Sequence, residues 1–227
     1  MERVITYIDG FNLYYGIKEE FSDKYKWLNL VQLSEAFLTQ SQQLEKVKYF
    51  TADISSENQK MARQKTYLNA LESHCGKMIE ITKGRYLKKN IRCYTHQYAC
   101  RQANFAPCKN YHHNDCNGIL SIPEEKKTDV NIATSMLVDC FQDHFDTAFL
   151  ISADSDLVPP IQTIKRIHPN KKIIVIFPPG RNSYEIKQLQ GEAYCRRIKE
   201  KHLLGSQLPQ QITLASGAVL ARPQHWN

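Results

Sequence analysis

The sequence predicts an α/β fold: a three-layer α/β/α domain in which helices cover both faces of a central, mainly parallel sheet. Three observations predict it. Short apolar, β-branched runs recur along the chain, at residues 4–8, 47–52, 147–152 (TAFLIS) and 172–177 (KIIVIF). Segments with apolar residues at helical spacing separate them. The runs also lack polar alternation, as strands buried on both faces require. Strands alternating with helices imply a parallel sheet with right-handed crossovers.

In chain order, Val4-Ile5-Thr6-Tyr7-Ile8 reads as the first buried strand. Residues 30–38 carry apolar side chains at Leu30, Leu33 and Phe37, a helical stripe. Residues 47–52 are a second strand. Residues 57–75 read as a long helix with Met61, Leu68, Leu71 and Cys75 on one face, and residues 77–87 as a third strand interrupted by Gly84. Residues 90–122 show no period and read as an insertion. Thr128 is the expected N-cap of a helix reaching Phe141, with Val130, Ala133, Leu137 and Cys140 in register. A fourth strand at 147–152, a helix at 156–167 and a fifth strand at 172–177 follow, the last closed by Pro178-Pro179-Gly180. A short helix from about Ser183 and a short strand at 195–198 complete the domain, residues 1–200. Residues 201–227 form a C-terminal extension, where Gly217 between residues 211–214 and 219–220 suggests a hairpin.

Composition bounds the functional classes. At 227 residues one domain is the simplest expectation, and a 42% hydrophobic fraction supplies a core. Lys plus Arg exceed Asp plus Glu by 30 to 23, and the net charge of +7 favours a polyanionic partner. No run approaches the ~18 apolar residues that cross a bilayer. The N-terminal apolar run ends at Asp9, too soon for a signal peptide. A cytoplasmic protein with no membrane partner is expected, its seven cysteines serving as thiols or metal ligands rather than disulfides. Cys75, Cys140 and Cys195 fall on apolar faces and read as core.

In open α/β sheets ligands bind beyond the carboxyl ends of the strands. Asp9 follows the first strand, Asp154 and Asp156 follow the fourth, and Asp129 opens the helix after the insertion. Four aspartates are thus expected to converge at one end of one sheet. Such a cluster repels itself and raises its own pKa values unless a cation neutralises it. Oxygen donors without His or Cys select Mg²⁺ or Mn²⁺, ions that activate water and polarise phosphoryl oxygens. Asp9, Asp129 and Asp154 are the expected ligands, and Asp156 either a ligand or the group that orients water. Asn12 would hold a phosphate or a carboxylate. Ser152, Lys126, Lys127 and Arg181 are the candidate substrate contacts. The plainer alternative is that Asp129 and Asp156 only cap helices, and that residues 181–183 form a turn and a cap.

Three segments carry a family resemblance: Tyr7-Ile8-Asp9-Gly10-Phe11-Asn12, Glu124-Glu125-Lys126-Lys127-Thr128-Asp129-Val130-Asn131, and Ser152-Ala153-Asp154-Ser155-Asp156. In this order, and with Phe177-Pro178-Pro179, they resemble the motifs of NYN domains, the branch of PIN-like nucleases that includes the bacterial LabA-like group. Ala153 stands where most members have Gly. The resemblance implies a Rossmann-like (PIN-like) fold and a divalent-metal ribonuclease. It carries Asp9, Asn12, Asp129, Asp154 and Asp156 over as the acidic site, RNA (single-stranded favoured) as partner, and a homodimer as a candidate assembly.

The insertion holds Cys93, Cys100, Cys108 and Cys116, with His96, His112 and His113 among them. Their spacing is wider than that of tight zinc-finger pairs, yet the density makes a structural Zn²⁺ on the four cysteines a second candidate ion. Basic residues interleaved with tyrosines there suit single-stranded nucleic acid. A catalytically silent RNA-binding or regulatory module of the same fold is the competing reading. A phosphatase would need a nucleophile pattern that Asp9-Gly10-Phe11 lacks, and no Gly-rich loop follows the first strand to serve a dinucleotide.

Overall fold

A computed structural model describes residues 1–54, 58–92 and 119–226; within 86–92 and 119–125 the description is of backbone pairing. Strands β1 (Glu2–Asp9), β2 (Gln42–Ala52), β3 (Ile79–Arg92), β4 (Ile119–Lys126), β5 (Thr147–Ile151), β6 (Lys172–Phe177) and β7 (Cys195–Arg197) form one sheet in the order β4-β3-β2-β1-β5-β6-β7. Six are parallel; β4 alone runs antiparallel, on the edge beside β3. The chain builds outward from β1 in one direction to β3, then returns to the other side of β1 with β5. The strand order therefore reverses between β1 and β5, and a crevice opens at their carboxyl ends.

Side chains alternate across the sheet with period two, which divides the core in two. Val4 and Ile8 of β1, Phe149 and Ile151 of β5, and Ile174 and Ile176 of β6 share one face. Helices α1 (Gly10–Phe21), α2 (Leu30–Glu35) and α3 (Asn58–Cys75) cover it through Leu13, Ile17, Leu33, Leu68 and Leu71. Ile5, Tyr7, Ala148, Leu150, Ile173 and Val175 point the other way. There α4 (Thr128–Phe141), α5 (Val158–Ile167) and α6 (Tyr184–Gln190) pack through Ile132, Met136, Ile161, Ile164 and Ile186. Among the described residues no helix is long and apolar enough to cross a membrane.

The C-terminal residues pack into the first face rather than standing apart. After α7 (Glu200–Leu204), Leu208 N–H donates to Trp27 O at 2.9 Å and Trp27 Nε1 donates to Pro209 O at 2.8 Å. Strands β8 (Gln211–Thr213) and β9 (Val219–Ala221) pair antiparallel, and Trp226 closes against Trp27 and Tyr67 with ring centroids 6.3 and 5.8 Å away.

Several local expectations are corrected. Residues 10–21 are helical, an element to which the sequence reading assigns no structure. Gly84 does not interrupt β3: it ends the pairing with β2, and from Arg85 onward β3 pairs with β4 instead. The insertion accordingly shortens, since β3 reaches Arg92 and β4 begins at Ile119. Pro123 obscured β4, but an edge strand tolerates a residue without an N–H. On α4 the buried stripe is Ile132, Met136 and Cys140, whereas Val130 is 66% exposed. Met61 likewise faces outward on α3. Cys140 is buried, and Cys75 and Cys195 are half-buried. Cys93, Cys100, Cys108, Cys116 and the histidines among them lie outside the described residues.

Candidate metal centre at the β1/β5 switch point

Each carboxylate of the site is delivered by the end of a strand or the start of a helix. Asp9 is the last residue of β1 and the N-cap of α1; its Oδ1 accepts Asn12 N–H at 3.0 Å. Gly10 lets α1 begin close to β2, because a Cβ there would stand 2.6 Å from Phe50 O. Beyond β5, Asp154 caps a 3-10 turn (Ser155–Leu157) by accepting Asp156 N–H at 2.9 Å. Asp129 stands in the first turn of α4. The N-cap of that helix is Lys127, left-handed at φ 82°, and Thr128 is its first, buried residue rather than the cap. Three helical N-termini thus face one crevice, and each favours negative charge.

One carboxylate oxygen from each of Asp9, Asp129 and Asp154 lies within 4.8 Å of the others. Asp156 is not in this group. It is exposed, because the turn that Asp154 caps carries Ser155 and Asp156 outward before Leu157 enters the core. The three aspartates line a pocket of about 170 Å³ together with Phe11, Asn12, Tyr15, Thr128 and Arg181.

Ser152 ties the two strand ends together. Its Oγ donates to Asp9 Oδ2 at 2.9 Å and accepts Asp154 N–H at 3.0 Å. Asn12 Oδ1 accepts Ala153 N–H at 3.1 Å, bridging α1 to the same loop. Asp9 is 4% exposed, and burial pushes its carboxyl above the usual range. The bonds from Asn12 and Ser152 oppose that rise without reversing it, and the charge of Asp154 adds to it. A site that holds a carboxylate against its preference for water suits a cation.

Arg181 reaches the pocket from the loop after β6. Its Nη2 donates to Glu19 Oε1 at 2.5 Å, while its Nε is buried with no hydrogen-bond acceptor among the described residues. Gly16 permits this approach: a Cβ there would meet Pro179 O at 2.7 Å and Pro178 Cβ at 3.0 Å. Lys126 and Lys127 are exposed and do not line the pocket. Phe11 and Tyr15 carry no expected site role in the sequence, and Thr128 only that of a helix cap, yet all three line the pocket. The i, i+4 spacing of Phe11 and Tyr15 is a usable signal only once residues 10–21 are known to be helical.

A parallel sheet with three carboxylates at its switch point defines a PIN-like domain of the nuclease type. The chain belongs to the NYN domain family, whose model matches residues 3–193. A 6-hydroxy-3-succinoylpyridine 3-monooxygenase from Pseudomonas putida is 28% identical over 247 residues, spanning 99% of this chain and 75% of that protein. The crystal structure of a protein of unknown function from Vibrio parahaemolyticus has a TM-score of 0.53 at 17% identity, covering 88% of this chain and 94% of that one. That likeness bears on the fold alone.

Proposed function

We propose that this protein is a divalent-metal-dependent ribonuclease. The observation that carries the reading is the convergence of Asp9, Asp129 and Asp154 at the β1/β5 switch point. An all-oxygen, anionic donor set fits a hard cation, Mg²⁺ or Mn²⁺. Such an ion, when bound, polarises a phosphoryl oxygen and lowers the pKa of water. The three aspartates would hold it, and Ser152 would keep Asp9 and Asp154 in place for it. Asn12 spends its carbonyl oxygen on Ala153 N–H, so its amide NH₂ is the end offered to a phosphate. Arg181, whose guanidinium side chain lines the pocket, suits a phosphate oxygen. Asp156, close by but outside the cluster, would orient the attacking water. Lys126 and Lys127 would meet the backbone farther along the strand. The +7 net charge suits a polyanionic substrate, which we assign as single-stranded RNA met in the cytoplasm.

The test is cleavage of end-labelled single-stranded RNA with Mn²⁺, with EDTA, and by the Asp154→Asn variant. Cleavage lost in both controls is expected. RNA bound but uncut by the metal-loaded protein would favour the silent binding module.

The Pseudomonas relative motivates a second reading, oxygenation of a pyridine-ring acid. Against it, Asp9-Gly10-Phe11-Asn12 after β1 is no dinucleotide-binding loop. Oxygen uptake driven by a reduced nicotinamide nucleotide and such an acid, with no RNA cleavage, would transfer the assignment.

A further inference from the structure

A second, larger cavity of about 620 Å³ adjoins the acidic pocket on the α1 side of the sheet. Phe11 and Tyr15 line both. They stand one helical turn apart on α1 and form the partition between the two spaces. The cavity's other aromatic walls are Tyr14 of α1, Tyr49 of β2, Tyr67 of α3 and Trp226 of the C-terminal extension.

The polar lining is unbalanced. Leaving Lys60 aside, three cationic side chains, Lys18, Lys26 and Arg63, face one carboxylate, Asp23. Asp23 is already engaged: Lys26 Nζ lies 2.5 Å from its Oδ1 and 4.9 Å from the centroid of the Tyr14 ring. Arg63, half-buried on α3, and Lys18, exposed on α1, have no salt-bridge partner among the described residues. A space walled by rings and carrying excess positive charge suits a planar, anionic molecule.

We propose that this cavity is a nucleotide subsite that takes the base and phosphate of a residue flanking the scissile bond. The base stacks on the aromatic walls, which tolerate any base. The phosphate meets Arg63 and Lys18. The shared wall of Phe11 and Tyr15 lets one strand fill both spaces, so that a nucleotide held here places the next phosphate toward the carboxylates. The C-terminal extension, through Trp226, thereby becomes part of the substrate site. The proposal deepens the ribonuclease reading and rests on it.

The test is calorimetric titration of the full-length protein in EDTA with adenosine and uridine 5′-monophosphates, so that neither metal nor turnover is needed. Saturable binding of both is expected, weakened about tenfold or more by Arg63→Glu and restored by Arg63→Lys, with thermal melts confirming that each variant folds. Adenosine without its phosphate should bind more weakly in proportion. No saturable nucleotide binding, or binding that Arg63→Glu leaves unchanged, overturns the subsite. So does binding of pyridine-3-carboxylate in place of the nucleotides. Nucleotide binding that follows this pattern beside a failed RNA-cleavage assay supports the cavity assignment and removes the ribonuclease reading alone.

Discussion

Ser152 Oγ donates to Asp9 Oδ2 at 2.9 Å, and with the Asp154 N–H it accepts, this hydroxyl fixes the spacing of two of the three converging carboxylates. Ser152 is fully buried, so no water replaces its hydroxyl when it is removed. Ser152→Ala should cost about 1–3 kcal/mol, the range for a lost hydrogen bond to a buried charged group. Asp9, already above the usual carboxylate range, should rise further, because one of the hydrogen bonds that oppose the rise is gone. The variant should need more Mn²⁺ for half-saturation. Thermal denaturation in EDTA and a Mn²⁺ titration check both halves, and an unchanged titration would remove Ser152 from the metal centre.

Asp154→Asn separates repulsion from ligation. In EDTA the substitution relieves a like-charge contact with Asp9, so the variant should be at least as stable as the wild type. With Mn²⁺ the order should invert. A saturating ion stabilises the wild type by mass action, about 2.7 kcal/mol at a hundredfold excess over Kd. The variant should lose most of this gain. Equal Mn²⁺-induced shifts in melting temperature would place the ion elsewhere.

The carboxylates were legible because strand ends and helix starts are where an α/β fold delivers polar side chains, and Asp9, Asp129 and Asp154 occupy such positions. Helix α1 was not. Its buried positions, Gly10, Leu13, Gly16 and Ile17, include two glycines, and its rings at 11, 14 and 15 line cavities rather than core. An apolar count therefore shows no stripe. Strand β4 hid for another reason: Pro123 and the charged run after it have meaning only against an edge partner whose existence the sequence does not announce. The place of Asp156 depends on a 3-10 turn, which spacing alone does not distinguish from the first turn of an α-helix.

Asp139 lies near the far end of α4, the helix whose first turn carries Asp129. Lys48 Nζ lies 2.6 Å from its Oδ2, Tyr7 Oη donates to the same oxygen at 2.7 Å, and His144 Nδ1 is 3.1 Å from Oδ1. Burial alone would raise this carboxyl, but Lys48, Tyr7 and His144 together hold it below the usual range. Arg3 brings Asp146 down to about 2. For a depressed carboxyl the stabilisation is fully present above its unfolded pKa, ~3.9, and is lost as pH falls through the folded value. Stability should therefore drop below about pH 4. Asp139→Asn leaves the half-buried Lys48 without its counter-charge, at a cost below the ~3–5 kcal/mol of a fully buried pair. It should also flatten the acid limb, because the difference in proton uptake disappears at that site. Urea midpoints at pH 7 and pH 3.5 test this, and equal losses at both would show that Asp139 acts by packing alone.

Gly16→Ala tests whether α1 and the loop after β6 are held in register for Arg181. On propensity alone alanine within a helix gains about 1 kcal/mol over glycine. Here the new Cβ would stand 2.7 Å from Pro179 O, a backbone atom that cannot swing aside, and 3.0 Å from Pro178 Cβ. Overpacking of this kind costs about 1–3 kcal/mol, so the clash should outweigh the gain. Relief must come from moving α1 or the loop, and either motion shifts Arg181 relative to Asp9. RNA cleavage should fall more than stability does. Gly76→Ala is the control: it has open space but a φ of 53°, so it should cost about 1 kcal/mol in backbone strain and leave cleavage unchanged. A Gly16→Ala variant as stable and as active as the wild type would mean that the loop tolerates displacement and that Arg181 does not require its present position.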